Sequence, residues 1–517
     1  MHIVSVEQME TIEKSANANG LSYETMMRHA GWGIANWVYR QMPVKHGVIG
    51  LVGFGNNGGD TLIALMELTK RGVRTMAFLA KPREGDQLID DYLMWGGCVV
   101  DISEKQNMRV LEAALLPGVV ILDGILGTGF KLPLHGKLRE VMGTLSEIIQ
   151  NRSQALVVAV DCPSGVDCDT GKVSDVTLKA DHTLTMAAMK VGLLKHPARS
   201  FSGEFHFIDI GIDDLSQHVS ETLPVMIDRE FVTLNLPERP DTGHKGTFGT
   251  CLVVAGTPPY TGAAYLAGSA AYRSGCGLVN VATVRDVQQN LSGKFVEAVW
   301  TILPDINGFF DPKGATDLEV GLECADSLVV GPGWGLSDEN TAFLGKLLSF
   351  IPENLPAVFD ADGLKLLCRI DQWWKAVPKQ TILTPHPGEM SVLTGLNINE
   401  IQSDRWRIAQ EYAQKWNVVL LLKGAVTVIA TPEGDLMVNP TSDSALATAG
   451  SGDVLSGVIG GLLAQDVPAI NAASVGAWLH AQAGVAAGKV AGTDISVSAM
   501  DILDGVSAAF VKAKEAG

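Results

Sequence analysis

Gly450, Ser451, Gly452 and Asp453 stand directly before an apolar, glycine- and alanine-rich stretch. A helix beginning there offers unpaired N–H groups to a phosphate, and a carboxylate beside them can take a proton from a hydroxyl that attacks phosphorus. Other polar groups close apolar runs in the same half: Asp360 and Asp362 in FDADG, His386 in TPHPGEM, and Lys423 in LLLKG. Lys423 follows four apolar residues, so it is expected to emerge at a strand end, where a phosphate partner is more plausible than a buried, unpaired ammonium.

In the first half, VGFGNNGGD runs from a strand through Gly53, Gly55, Asn56, Asn57, Gly58 and Gly59 to Asp60. Glycines there let a phosphate approach the backbone, although the spacing is not that of G-x-G-x-x-G. Asp123 ends ILDG ahead of the turn Gly127-Thr128-Gly129, and Asp161 ends VVAVD with Ser164 three residues on. Oxygen donors without a His or Cys cluster favour a hard cation over zinc. Each motif also has a plain structural reading. Single aspartates cap helices and form turns, and His386 could be a structural histidine in a proline turn. Asp360 and Asp362 either order magnesium, directly or through water, or shape the turn. Lys190 either lies near the phosphates or is a solvated surface lysine. Trp373 and Trp374 are expected to cap a hydrophobic surface.

The elements that position these groups follow from periodicity. Ser5 with Gln8 makes a capping-box pattern, and Met9, Ile12 and Ala16 recur at helical spacing. A second helix is expected over Tyr23 to Tyr39. Apolar runs then alternate with helical stretches: HGVIGLVGFG, Thr61 to Arg71, VRTMAFLA, GVVILDGILG, Gly136 to Gln150 and ALVVAVDCPSG. Uninterrupted β-branched runs separated by helices predict a parallel sheet covered on both faces. Polar and proline-rich sequence over 213–245 places a boundary near 218–228, giving domains 1–218 and 225–517. The alternation restarts with GTCLVVAG, so the architecture is two α/β domains in series.

The chain has 517 residues, 46% hydrophobic and 19% charged, enough to bury large cores. A net charge of −18 argues against nonspecific nucleic-acid binding by a basic surface. The cysteines (Cys98, Cys162, Cys168, Cys251, Cys276, Cys324, Cys368) show no C-x-x-C pair and read as free thiols in a reducing compartment. The N-terminus lacks the pattern of a secretory signal. Asp466, Pro468, His480 and Lys489 interrupt the most apolar tract, so no membrane span and a cytoplasmic location are expected.

GNNGGD, LDGILGTG and VDCPSGVD, in this order, resemble the NAD(P)HX epimerase domain, a Rossmann-like three-layer fold, over roughly residues 1–215. That family interconverts the R and S forms of hydrated nicotinamide dinucleotides, NADHX and NADPHX. The resemblance implies substrate contacts from Asn56, Asn57, Gly58, Gly59 and Asp60, from Gly127, Thr128, Gly129, Phe130, Lys131, Leu132 and Pro133, and from Asp161. It also implies a potassium ion held by Asn57, Asp123 and Ser164. Thr61 stands where the family usually has glycine, and a modest change in helix-start geometry is expected. Asp161 is the candidate acid/base, since burial and neighbours can tune a carboxylate for that role.

The Gly450–Asp453 signature resembles that of the ribokinase-like superfamily. Together with HKGTFGT, GPGWG, FDADG, TPHPGEM and LLKGAVTVIA, it resembles the ADP-dependent NAD(P)HX dehydratase domain over about 225–517. Carried over by position, Ala263, Gly335, His386 and Asp453 contact the hydrate, while Lys423, Gly424, Ala425, Val426, Thr427 and Gly452 contact ADP, with magnesium. Asp453 is the implied catalytic base. Ser451 stands where threonine is usual; both supply a hydroxyl and a backbone N–H. The family also suggests a homo-oligomer. A vitamin or sugar kinase fused to a nucleotide-binding domain would share the Gly450–Asp453 logic. Such a kinase would accumulate a phosphorylated product. A third reading, a scaffolding module with a vestigial first site, is opposed by the joint presence of Asn57, Asp123, Asp161 and Ser164.

Overall fold

The structure, a computed structural model, describes residues 1–150 and 154–515 and divides into two compact units, Met1–Pro224 and Val225–Gly517. The first unit opens with the helix Val6–Ala18, whose N-cap Ser5 accepts from Gln8 N–H while the Gln8 side chain returns to Ser5 N–H. Such a cap is worth about 1 kcal/mol. Tyr23–Gln41 forms the second helix. Seven parallel strands follow in the spatial order Val99–Asp101, Thr75–Leu79, Val48–Val52, Val120–Gly124, Leu156–Val160, His182–Met186 and Glu204–Ile208.

Along Val48–Val52 the side chains alternate between two cores, as a pleat of period two requires. Val48 and Val52 pack with Ile34, Val38 and Leu65 of the helices on one face. Ile49 and Leu51 pack with Leu111, Leu145 and Ile149 on the other. The sheet is therefore covered on both faces, and every strand points its carboxyl end the same way. The chain after Ile212 still belongs to this unit: Ile3 N–H donates to Pro224 O at 2.8 Å, and Gln8 Nε2 donates to Glu221 at 3.1 Å.

The second unit is built on a ten-stranded mixed sheet. Its order is Val225–Met226, Leu436–Asn439, Thr427–Ala430, Val419–Leu422, Thr381–Leu383, Ala357–Phe359, Ser327–Val330, Thr250–Val254, Leu278–Val284 and Val299–Leu303. Only Thr427–Ala430 runs antiparallel to its neighbours. The helix Ser451–Leu463 packs closely on Thr261–Arg273. A Cβ at Gly457 would lie 2.0 Å from Ala267 O, so the glycine content of the motif is a packing requirement as well as a feature of its start. Ser327 Oγ donates to Gly460 O at 2.7 Å and ties this helix to the sheet. All seven cysteines are free, and four of them are buried. Among the described residues no helix is long and apolar enough to cross a membrane.

Two candidate active sites

In the first unit the polar groups gather at the carboxyl ends of adjacent strands, where open α/β sheets bind ligands. Asp161 follows the strand Leu156–Val160 in the left-handed region (φ 64°), which aspartate tolerates better than most residues. Its Oδ1 accepts from Met186 N–H at 3.0 Å and from Lys190 Nζ. Lys190 also donates to Met186 O at 2.9 Å and is 1% exposed. Lys190 is not a solvated surface residue: it lies in the wall of a cavity and forms a buried ion pair with Asp161. Asp161 Oδ1 with Met186 O and Thr185 Oγ1, at the ends of two adjacent strands, compensates the burial of its charge.

The start of the helix Asn56–Lys70 is fastened to two neighbouring loops. Asn57 Nδ2 donates to Val160 O at 2.6 Å and to Leu126 O at 3.2 Å. Ser164 donates twice to Asp123, through Oγ to Oδ1 at 2.6 Å and through N–H to Oδ2 at 2.9 Å. Asp123 is fully buried, and burial pushes its carboxyl upward against the pull of these neutral donors. A buried carboxylate with a hydroxyl partner and only oxygen donors at the strand ends is a set that fits a hard cation.

A cavity of about 610 Å³ opens here, with Asn56, Asn57, Asp60, Thr128, Asp161 and Lys190 in its wall. Asp60 is 7% exposed, and no described residue donates a hydrogen bond to its carboxyl. Burial, then the charges of Asp161 and Glu13, push that carboxyl well above the ordinary range. Gly58 and Gly59 are buried in the first helical turn and do not line the cavity. In the loop Gly127–Pro133 only Thr128 lines it; Phe130 and Leu132 pack on the core of the opposite sheet face. Thr61 is buried, and its Oγ1 donates to Asn57 O at 2.7 Å.

In the second unit Asp360, His386 and Lys423 follow three adjacent parallel strands, Ala357–Phe359, Thr381–Leu383 and Val419–Leu422. Lys423 Nζ donates to Asp360 Oδ1 at 2.8 Å, and Ser456 Oγ binds Asp360 Oδ2. Burial alone would raise the Asp360 carboxyl, but the Lys423 charge and these hydrogen bonds bring it below the usual value. Gly450 starts the helix in the left-handed region (φ 88°). The following turn sets Gly452 and Asp453 on a cavity of about 670 Å³ that His386, Lys423, Gly424, Ala425 and Thr427 also line. Asp453 is pushed up to about 7, first by burial and then by the charge of Asp360.

His386 is both a ligand candidate and a structural residue. Its Nδ1 accepts from Gly388 N–H at 2.9 Å and Glu389 N–H at 3.3 Å, capping the helix Pro387–Thr394, while its imidazole stays half exposed. Asp362 accepts from Gly335 N–H at 2.9 Å and pairs with Lys365, across the positive φ of Ala361 (53°). Ala263 and Gly335 do not line the cavity, and Val426 is buried behind it. Trp373 is buried against Trp374 and Trp416 and belongs to the core.

Three contributors had no signature in the sequence. Arg405 donates to the carbonyls of Leu422 (2.9 Å), Lys423 (3.1 Å) and Val426 (3.2 Å), holding the loop from which Lys423 projects. His480 Nε2 lies 2.9 Å from Ser451 Oγ, and burial lowers its imidazole to about 4, so it pairs as a neutral ring. Ser456, one turn beyond Gly452, reaches Asp360. Only tertiary contact reveals any of the three.

Comparison with known proteins agrees with this two-site arrangement. Residues 23–192 match the family model of the YjeF-related protein N-terminus, and residues 251–506 match that of NAD(P)H-hydrate dehydratase. The chain is 35% identical to the bifunctional NAD(P)H-hydrate repair enzyme of Moorella thermoacetica, over 98% of this chain and 96% of that one. It is 32% identical to the enzyme of the same name from Escherichia coli, over 91% and 86%. Among solved structures, the ADP/ATP-dependent NAD(P)H-hydrate dehydratase of Bacillus subtilis, co-crystallised with ATP and Mg2+, is 32% identical with a TM-score of 0.49, covering 56% of this chain and 99% of that chain. With relatives of this identity matched over nearly the whole chain and a family model matched in each half, the chain belongs to the family of bifunctional NAD(P)H-hydrate repair enzymes.

Proposed function

We propose that the second cavity removes water from the S form of NADHX and NADPHX at the expense of ADP, and that the first interconverts the R and S forms so that neither is stranded. The observation that carries the reading is the helix start at Gly450–Asp453, facing Lys423 and Asp360 across one cavity. Asp453 takes the proton of the C6 hydroxyl while the hydroxyl oxygen attacks the β-phosphorus of ADP, and the bond to AMP breaks. Lys423 and the N–H groups around Gly452 meet the charge on the transferring group. The ring nitrogen lone pair then expels phosphate from C6, and loss of a proton from C5 restores the reduced ring. His386, Gly335 and Ala263 belong on the side of the hydrate; Lys423 to Thr427 belong with the nucleotide. Both Asp360 oxygens are already engaged, so Asp360 suits contact with nucleotide-bound magnesium through water.

In the first cavity the two carboxylates differ in surroundings: Asp161 is paired with Lys190, whereas no described residue donates a hydrogen bond to the Asp60 carboxyl. Asp60, whose carboxyl burial pushes upward, is the acid that gives a proton to the departing C6 hydroxyl as the ring nitrogen lone pair expels it as water. Asp161, paired with Lys190, takes a proton from the water that adds to the opposite face. Transfer of that proton back to Asp60 closes the cycle. Asn57, Asp123 and Ser164 would hold potassium, whose charge would steady the phosphates of the dinucleotide and the loops around them. Asn56 and Thr128 meet the substrate directly, while Gly58, Gly59 and the rest of the Gly127–Pro133 loop shape the backbone around them. The experiment is to supply pure R hydrate with ADP and magnesium. Full recovery of the reduced coenzyme requires both cavities, whereas Asp161→Asn is expected to recover only what spontaneous epimerisation feeds forward. Recovery from R hydrate at the wild-type rate in that variant would overturn the assignment of the first site.

A further inference from the structure

His182 and Glu204 are the first residues of the parallel strands His182–Met186 and Glu204–Ile208, and they pair directly in register, with His206 two residues on. A pleat of period two puts all three side chains on one sheet face. They sit at the amino ends of these strands, whereas the first cavity gathers at the carboxyl ends. His182 Nδ1 lies 3.0 Å from His206 Nε2 and 3.9 Å from Glu204 Oε2, and one donor atom from each residue falls within 4.8 Å of the others. Two imidazole nitrogens bound to one ion at about 2.0–2.1 Å stand roughly 3 Å apart, so the observed spacing already matches the bite of a metal. Trp37 covers the pair, its ring centroid 4.5 Å from that of His206 and 5.2 Å from that of His182, and limits how far the imidazoles can swing. Glu204, 64% exposed, is free to turn its carboxylate onto an ion from the solvent side.

We propose that His182, His206 and Glu204 bind one divalent ion of the zinc, nickel and copper class, with water in the remaining position. Two imidazoles and one carboxylate, without thiolate, are the donors such ions accept. The ion would bridge the last two strands of the sheet and clamp the edge strand Glu204–Ile208, whose outer side has no strand partner. No short motif announces the site, because the two histidines are far apart in sequence and meet only through strand pairing.

The test uses tag-free, chelator-stripped full-length protein titrated with zinc chloride by calorimetry, with cobalt(II) as the spectroscopic probe. One ion per chain is expected, with cobalt bands lacking thiolate charge transfer. His182→Gln, His206→Gln and Glu204→Gln should each weaken zinc at least about tenfold, and the zinc-induced rise in melting temperature should vanish with them. Retained interconversion of the R and S hydrates, an activity of the same unit, certifies that the variants are folded. Should the histidine variants fail that check, Glu204→Gln at its exposed position decides alone. Absence of a stoichiometric site, or unchanged affinity in the folded variants, would leave the two histidines as a simple hydrogen-bonded pair and overturn the proposal.

Discussion

Lys423 Nζ stands 2.8 Å from Asp360 Oδ1 and 3.7 Å from Glu389 Oε2, so the ammonium at the second cavity answers to two carboxylates. Burial opposes its charge, but Asp360 and Glu389 overcome that and raise the Lys423 ammonium above its usual value. Breaking such a buried pair by removing one partner costs about 3–5 kcal/mol.

Lys423→Met is therefore expected to lower the melting temperature of the second unit and to raise the KM for ADP more than tenfold. Asp360→Asn should destabilise comparably while affecting KM less. The sign with pH follows from the two directions. The depressed Asp360 contributes stability above its unfolded value that is lost as pH falls through its folded value. The raised Lys423 contributes stability below its unfolded value that is lost as pH rises past the folded one. The advantage of wild type over Lys423→Met should thus be greatest near neutrality, as thermal unfolding between pH 3 and 10 would show.

As the proposed base, Asp453 is expected to set the acid limb of dehydration. With its carboxyl pushed up to about 7, kcat/KM for the hydrate should fall as pH drops below about 7. A raised carboxyl also works against the fold once ionised: its contribution is fully present below the unfolded value and is lost as pH rises through about 7. Asp453→Asn should hence gain stability over wild type between pH 5 and pH 8. An advantage that shrinks across that interval would contradict the assigned state.

Asp60→Asn is nearly isosteric and removes a carboxyl that burial pushes upward, so the fold should be retained. Epimerisation should fall by about 10²–10⁴, the usual contribution of a positioned proton donor. Chiral separation of the hydrates over time reads this directly, and a variant with full epimerase rate would return Asp60 to a packing role.

Lys190→Met leaves Asp161 buried without its cation. We expect a loss of about 3–5 kcal/mol in the first unit, with epimerisation reduced and dehydration of S hydrate unchanged. Replacing potassium by tetramethylammonium should likewise slow only the epimerase, and Asp123→Asn should abolish the difference between the two salts.

Much of this was legible before the fold was. The strands ending in Asp123, Asp161, Asp360, His386 and Lys423 could be read from apolar runs, because a strand end is where a run of Val, Ile and Leu meets its first polar residue. The capping box at Ser5 and the helix Gly136–Gln150 were equally plain, since caps and periodicity are local. Lys190 was not. Its neighbours Met189 and Val191 give no hint that it meets Asp161, which lies 29 residues away. Arg405, His480 and Ser456 escaped for the same reason: each is an ordinary residue within a helix, and its role comes only from the loop or strand end the helix packs against. The resemblance in turn spread substrate contacts over Gly58, Gly59 and Gly127–Pro133, whereas the cavity wall takes few of these residues. Glycines that allow close packing and glycines that face a ligand look alike in sequence.

The most direct test of the two-site account is phosphoryl transfer at Asp453. Purified full-length protein is given S hydrate, ADP and magnesium, and AMP, phosphate and the near-ultraviolet absorbance of reduced nicotinamide are followed together. The account predicts all three rising in equal amounts in wild type, and a loss of about a thousandfold or more in Asp453→Asn while R and S forms continue to interconvert. Coenzyme restored by Asp453→Asn at the wild-type rate, or a phosphorylated hydrate accumulating in place of the reduced ring, would contradict it.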